Sequence, residues 1–408
     1  MAQQHLDPTD PTAGDVSGDA LAGYLRAQAT EFLRALRLHR ETGGEGGAPA
    51  RTKARAGDNG SQDAVDAARA LRRSARRISA SLHTFRPLLD ADWSEAIRPE
   101  LAWLSGTLAM EHAYAARLER LLLALHRLSG AAAVPAQTGV LGVPGAGEAA
   151  GEGGSAGGRT DAAGAAAVSR AAGAAPVPQK AAPVNAGPAT HPAATTERGN
   201  LTVGAAKAGA LLERQLTLAR TRAHSSALQA LGSSRFHAVA DNIAVLASEV
   251  PLTPAAATAD LRPLAGAAEE RLTDAVAALP LVTAGHPYNA EALIHGLSPD
   301  PAPHPQDAPW HQVRLLLRLH RYAREVLHGD SAPVDVRLLA AGQALNRHRD
   351  ASEAAAAAAQ AARTPRIAPA TAYALGVLHA DQRHEVEAAR FAFQQSWQMQ
   401  TVGTPYHP

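Results

Sequence analysis

An all-α fold is what this sequence predicts, and three observations carry the prediction. Alanine, leucine, arginine and glutamate are abundant, all of them strong helix formers. Aromatic residues make up only 4% of a chain that is 46% hydrophobic, and β-branched runs are few. Large apolar residues recur at three- and four-residue spacing, the period of a helix face. At 408 residues the chain has room for one large or two ordinary domains. It has no cysteine, which excludes disulfides, thiolate metal sites and cysteine nucleophiles.

Taken in order, residues 1–18 are rich in Pro, Asp and Gly and read as a disordered tail. Ser17 or Asp19 caps a first helix to about Arg40, with Leu21, Tyr24, Leu25, Ala29, Phe32 and Leu36 on its buried face. The glycine-rich run 42–60 breaks it. A second helix spans about Gln62 to Phe85 and ends before Pro87. Helices over about 94–105 and 107–130 complete a first bundle (19–130), with Leu118, Leu121, Leu122 and Leu125 facing inward. Residues 131–200 carry almost no large apolar side chain, so burial cannot offset the entropy of ordering them, and they read as a linker. The second bundle (201–401) reads as helices at 212–233, 235–250 and 255–279. A Pro/His-rich loop (280–309) follows, then a helix opening at Pro309, and helices at 334–348, 350–363 and 368–401. Residues 402–408 are a tail. No basic segment followed by an apolar one opens the chain, and no apolar run approaches the length of a membrane span. The expected location is therefore cytoplasmic, with no membrane partner.

The helix after Pro309 is the most informative element. His311, Arg314, Arg318 and Arg321 fall within about 80° of one another on it. Leu315, Leu316, Leu319, Ala323 and Val326 occupy a separate arc. Like charges at this spacing oppose a helix by roughly 0.2–0.5 kcal/mol per pair, and Glu325 is the lone carboxylate on the stripe. Such a row calls for an external polyanion. Arg69, Arg72 and Arg76 repeat the spacing of His311, Arg314 and Arg318, and Arg73, Arg77 and His83 extend that earlier stripe. A duplication would set the two stripes across a pseudo-two-fold axis, facing one groove. Arg347, His348 and Arg349 add three further donors, with Asp350 as their orienting or capping partner. Arg235 and His237 open a helix, where backbone amides favour anions. Tyr322 reads as core and His379 as a satisfied helix residue. His286, His295 and His304 match no metal-ligand spacing, so no metal or other cofactor is expected.

These motifs resemble the CHAD family, the conserved histidine α-helical domain. The likeness rests on His311, Arg314, Arg318, Arg321, Tyr322 and Glu325 in order, then LNRHRD (345–350) and LGVL (375–378). In the first half, ARALRRSARRISASLHTFRPLL (68–89) and LAWLSGTL (101–108) are similar to the family's opening block. Arg69 stands where the family has its first signature histidine. His112 and Ala113 replace an Arg-Asp pair, and Leu345-Asn346 replaces Leu-Gly. The resemblance implies two related antiparallel helical bundles around a basic groove that binds inorganic polyphosphate, and a chain without the triphosphate-hydrolysing domain some relatives carry. It also suggests association with polyphosphate granules. His112 then joins the ligand set with the residues of the two stripes, Arg235 and the 347–349 trio.

No glycine-rich phosphate loop, GxSxG or HExxH occurs, and the stripes carry no general base, so a non-catalytic binder is expected. Nucleic acid would exploit the same cations. The near-neutral net charge of +1 and the lack of a base-reading module weigh against it. A helical scaffold with a degenerate first-half site is the other alternative.

Overall fold

The structure, a computed structural model, describes residues 18–43, 53–130, 192–281, 283–286, 293–294, 296–297, 304–329 and 335–398. Among these, the regular structure is helical and no strand forms; one isolated bridge pairs Leu89 with Leu252. The helices are α1 (Gly18–Gly43), α2 (Lys53–Thr84), α3 (Ala91–Ser129), α4 (Pro192–Leu231), α5 (Ser234–Ser248), α6 (Arg262–Ala277), α7 (Ala308–His328), α8 (Val336–Ala362) and α9 (Pro369–Gln398). Of the tail predicted at 1–18, Gly18 opens α1, while residues 1–17, the tail at 402–408 and most of the predicted linker (131–191) lie outside the described residues.

Four sequence-based boundaries are corrected. Helix α2 begins at Lys53, inside the predicted break, because Lys-Ala-Arg-Ala are themselves helix formers. Residues 192–200, assigned to the linker, open α4. The helices expected at 94–105 and 107–130 are one helix, α3, capped by Asp90, whose carboxylate accepts from Trp93 N at 2.8 Å. It runs through Pro99 and Gly106. Ile97, Leu101, Leu104 and Leu108 bury at one end and Leu121, Ala124 and Leu125 at the other. That burial outweighs the roughly 1 kcal/mol an interior glycine costs. Likewise 334–348 and 350–363 form the single helix α8. Asp335 caps it, and Leu345, Ala351, Ala354, Ala355 and Ala358 bury continuously across the expected break. Asp350 is therefore mid-helix and caps nothing.

By packing, the chain divides into two units, Met1–Ala131 with Arg198–Pro408, and Ala132–Glu197. Of the second, the described part is the opening of α4. In the first unit, helices from both halves of the sequence share each core cluster. Leu21, Leu25 and Phe32 of α1 bury with Leu71, Ile78 and Leu82 of α2, Leu101 and Leu104 of α3, and Phe236, Val239 and Ile243 of α5. A second cluster gathers α6, α7, α8 and α9 around Trp310, Val313, Leu317, Leu345 and Phe393. A third joins the end of α3 to α4, α8 and α9.

Neighbour pairs fix how the basic helices lie. Arg77 of α2 bonds Glu325 of α7, while Arg72 and Arg76 share the charge field of Arg318, so α2 and α7 run parallel. Arg98 of α3 contacts His83 of α2, and His112 feels Arg69 and Arg72, so α3 runs antiparallel to α2. On α7 the apolar arc is turned slightly from the predicted one. Leu317 is buried and Leu315 is 46% exposed, because α7 is gripped from its 313–317–320 side by the second cluster.

Candidate functional site

Helix geometry brings the two predicted stripes to one place. Arg72 and Arg76 of α2, Arg314 and Arg318 of α7 and Arg349 of α8 form a single cationic cluster. Burial, then Arg76 and Arg349, lowers the pKa of Arg72 to about 10. Burial, then Arg318 and Arg349, does the same to Arg314, again to about 10. Arg76 and Arg318 are pushed down as well, burial first in each case. An arginine driven in this direction is a cation held against its own solvation and against its neighbours.

Counter-charge is scarce where it would be needed. Among the described residues, Arg72, Arg76, Arg314 and Arg318 pair with no carboxylate. Buried Nε atoms of Arg72 and Arg314 have no hydrogen-bond partner. What these side chains do reach is neutral: Arg76 Nε donates to the Arg72 carbonyl at 3.1 Å, and Arg314 Nη1 to Asn346 Oδ1 at 3.4 Å. Among the described residues, carboxylates flank the cluster at its Arg349 end and, through the Arg77–Glu325 pair, beyond its other end. Asp350 and Glu353 both contact Arg349, and Glu353 also accepts from Arg117. Beside them lies a groove of about 370 Å³ lined by Arg72, His112, Arg117, Arg120, Arg349 and Glu353. Among the described residues no group of three or more His, Cys, Asp or Glu is placed to hold a metal.

The remaining predicted site residues divide. His112 lines the groove with Arg72, and the charges of Arg69 and Arg72 both bear on it. Arg69 is not one of the lining residues and is bonded to Asp66 at 2.8 Å. His311 borders the cluster: its Nε2 has no partner, and burial, then Arg314, lowers its pKa against the pull of Asp307. Arg73 and Arg321 are exposed beside Arg76 and Arg318.

Four assignments are corrected, and a fifth residue, His83, stands outside the central cluster. Arg77 is committed to Glu325, at 2.7 Å, and lies over the Tyr322 ring at 5.6 Å; Tyr24 also donates to Glu325, at 3.0 Å. Glu325 therefore ties three helices together and does not offset its own stripe. His83 is two turns beyond Arg76 and bonds Arg98 at 3.1 Å, away from the cluster. Arg235 is held by Glu100 at 2.5 and 3.0 Å and stacks on Trp103 at 4.1 Å, because α5 packs on α1 and α3. Arg347 is exposed and, two residues from Arg349, points about 160° away round α8. His348 is wholly buried, so it cannot touch a ligand in the groove.

His348 belongs to a network that the sequence reading missed. Asp307, also fully buried, accepts from Arg383 Nη1 at 2.8 Å and Arg390 Nη2 at 2.7 Å. Arg390 donates further to Glu387 at 2.7 Å, the Gln306 carbonyl at 3.0 Å and His348 Nε2 at 3.3 Å. Burial alone would raise the Asp307 pKa, yet its hydrogen bonds and the adjacent charges hold it far below the carboxylate range. Two guanidinium groups thus meet two carboxylates in a dry core. The His348 ring stacks on Trp310 at 5.6 Å and meets His311 edge-on at 5.5 Å, which links this core to the groove wall. The signal was present as Arg383 and Arg390, seven residues apart among Leu375, Leu378, Val386 and Phe393. Arg117 and Arg120, three apart on α3, were a similar signal for the groove.

Burial drives the His348 pKa down from 6.5 to about 4. At neutral pH it is therefore uncharged, and the cations that hold Asp307 ionised are Arg383 and Arg390. A folded-state pKa below the unfolded one means the unfolded chain binds more protons between the two values. This contribution is whole above about pH 6.5 and is lost as the pH falls toward about 4. It amounts to roughly 3 kcal/mol at 1.36 kcal/mol per unit. Asp307 keeps its own contribution through that window, since its folded pKa lies lower still. Denaturation midpoints measured from pH 7 to pH 4 should fall accordingly, and His348→Gln should flatten the curve. An unchanged slope in the variant would refute the assignment.

His379 Nδ1 donates to the Ala355 carbonyl at 3.0 Å. His304 accepts from Gln306 N at 3.3 Å at the start of a short 3-10 turn. His295 lies outside the described residues. No helix among them is long and apolar enough to cross a membrane.

Comparison with protein-family models matches residues 48–359 to the CHAD domain. Among solved structures, the chain is similar to PptA from Streptomyces chartreusis at 64% identity and a TM-score of 0.65, covering 94% of this chain and 99% of that one. No curated protein matches.

Proposed function

The chain belongs to the CHAD domain family, and from that premise we propose that it is a non-catalytic binder of inorganic polyphosphate. The observation that carries the reading is the cluster of Arg72, Arg76, Arg314, Arg318 and Arg349, in which the first four pair with no carboxylate among the described residues. Polyphosphate carries about one charge per phosphate and has no bases, so its partner needs closely spaced cations and no aromatic platform. Arginine's planar fork reaches two phosphate oxygens at once. The α2 and α7 stripes, running side by side, offer such forks at successive turns. Recruitment to polyphosphate granules follows from the same chemistry.

Competition tests the reading. Each contact releases counterions, so affinity for polyphosphate should fall steeply with salt, by analogy with DNA. DNA would show the same dependence, so salt alone does not discriminate. With long-chain polyphosphate and duplex DNA matched in charge concentration, polyphosphate should win by more than about tenfold, a difference of about 1.4 kcal/mol. Equal competition, or a preference for DNA or RNA, would leave a generic basic surface.

A further inference from the structure

The basic face of α2 continues past the cluster. His83 lies seven residues beyond Arg76 and fourteen beyond Arg69, so all three share one face within about 40°. Helix α3 repeats the interval in reverse. Its His112 sits with Arg69 and Arg72, while Arg98, fourteen residues earlier, donates to His83 at 3.1 Å. Arg76 of α2 and Ser105 of α3 hold the middle positions of the two faces, and neither is buried. At 1.5 Å per residue the two ends of this seam are about 20 Å apart.

The far end is cationic in its own right. Arg98 bonds the His83 ring, and burial, then the charges of Arg98, Arg271 and Arg86, holds the imidazole below its ordinary pKa. Arg86 is paired with Glu95. Among the described residues, Arg98 and Arg271 make no ion pair. Arg271 reaches this point from α6, so three helices converge on it. Ala80 of α2 buries in one cluster with Leu272 and Val276 of α6, which brings Arg271 to this end of α2. The local core is supplied by Leu82, Phe85 and Leu88, which point inward.

We propose that His83, Arg98 and Arg271 form a second anion-binding position. One extended polyphosphate chain spans it and the central arginine cluster along the α2–α3 seam. The proposal rests on the polyphosphate reading above and adds a chain-length requirement to it. A chain engaging both positions gains from the high effective concentration of its second end, whereas a chain too short to bridge them gains nothing.

The test uses the full-length chain with two probes, tripolyphosphate and long-chain polyphosphate, and the double variant Arg98→Ala/Arg271→Ala. Both side chains are on the surface, and circular dichroism would verify the fold. Long-chain affinity should fall by at least about tenfold while tripolyphosphate affinity holds, the loss expected when a second site is disengaged. Arg98→Lys/Arg271→Lys should recover part of the loss, since charge persists. If long-chain affinity is unchanged in the alanine variant, the second position does not exist, and the central site stands untouched. Equal losses for both probes would mean the two arginines act through the central cluster, which also overturns the proposal. Should the unaltered chain bind neither probe, the polyphosphate reading itself falls and takes this inference with it.

Discussion

Asp307→Asn is expected to cost the folded chain about 3–5 kcal/mol, the range for breaking a buried ion pair on one side only. The carboxylate is wholly buried and, among the described residues, is the one acid paired with Arg383, while Arg390 also has Glu387. Asparagine keeps the shape and leaves the Arg383 cation uncompensated in a dry core. A surface pair would behave differently. Arg37–Glu41, an exposed pair on α1, should contribute little measurable stability, because solvent screens it. Urea denaturation gives the measurement, with Arg37→Ala as the comparison. The double variant Asp307→Asn/Arg383→Met should lose less than the sum of the two single changes, because removing the second partner removes the stranded charge. Strict additivity, or a loss below about 1 kcal/mol for Asp307→Asn, would show that the network does not hold the helices as described. Asp307 immediately precedes α7, and Arg383 and Arg390 sit on α9. The network therefore sets where the α7 stripe begins, and through His348 it braces α8, which carries Arg349.

This dependence explains which parts of the molecule were legible in the sequence. Helix faces are written locally: Leu21, Leu25, Phe32 and Leu36 recur at helical spacing and all are buried. The stripes were legible for the same reason, since Arg314 and Arg318 share a face whatever they meet. What a face meets is a tertiary fact. His348 and Arg349 are neighbours in the chain, yet one is sealed against Trp310 while the other lines the groove. Only the rotation of α8 against α9 decides between them. Arg77 looked like one more cation of a ladder, but its partner Glu325 is 248 residues away. Breaks were overcalled where Gly106 and Asp350 interrupt the pattern, because tertiary burial of alanines and leucines overrides weak local preference. The interleaving of both sequence halves within shared cores follows from long-range packing and leaves no local mark.

Arg314→Met with Arg318→Met should separate binding from stability, with opposite signs. Methionine keeps the apolar stem of each side chain and removes the charge. Hydrogen bonds to charged groups are worth about 1.5–3 kcal/mol each, so losing two should weaken polyphosphate binding by a factor on the order of 10² or more. The slope of log affinity against log salt should shrink by about 1.5, taking somewhat under one unit per contact. In the unliganded chain the same change should leave the melting temperature equal or raised. The pKa of Arg314 is lowered by burial and by its neighbours, so the folded state holds that cation at a cost throughout the neutral range. The cost fades only as pH rises past about 10, where the folded form would lose its proton before the unfolded one does. Removing the charge removes the cost. Polyphosphate should then stabilise the unaltered chain far more than the variant, because a ligand of the folded state adds stability as the logarithm of one plus its concentration over Kd. A variant that melts earlier and binds as before would mark these arginines as structural, and the groove as no binding site. A gain in stability together with a loss of binding is what a site prepared for an absent polyanion requires.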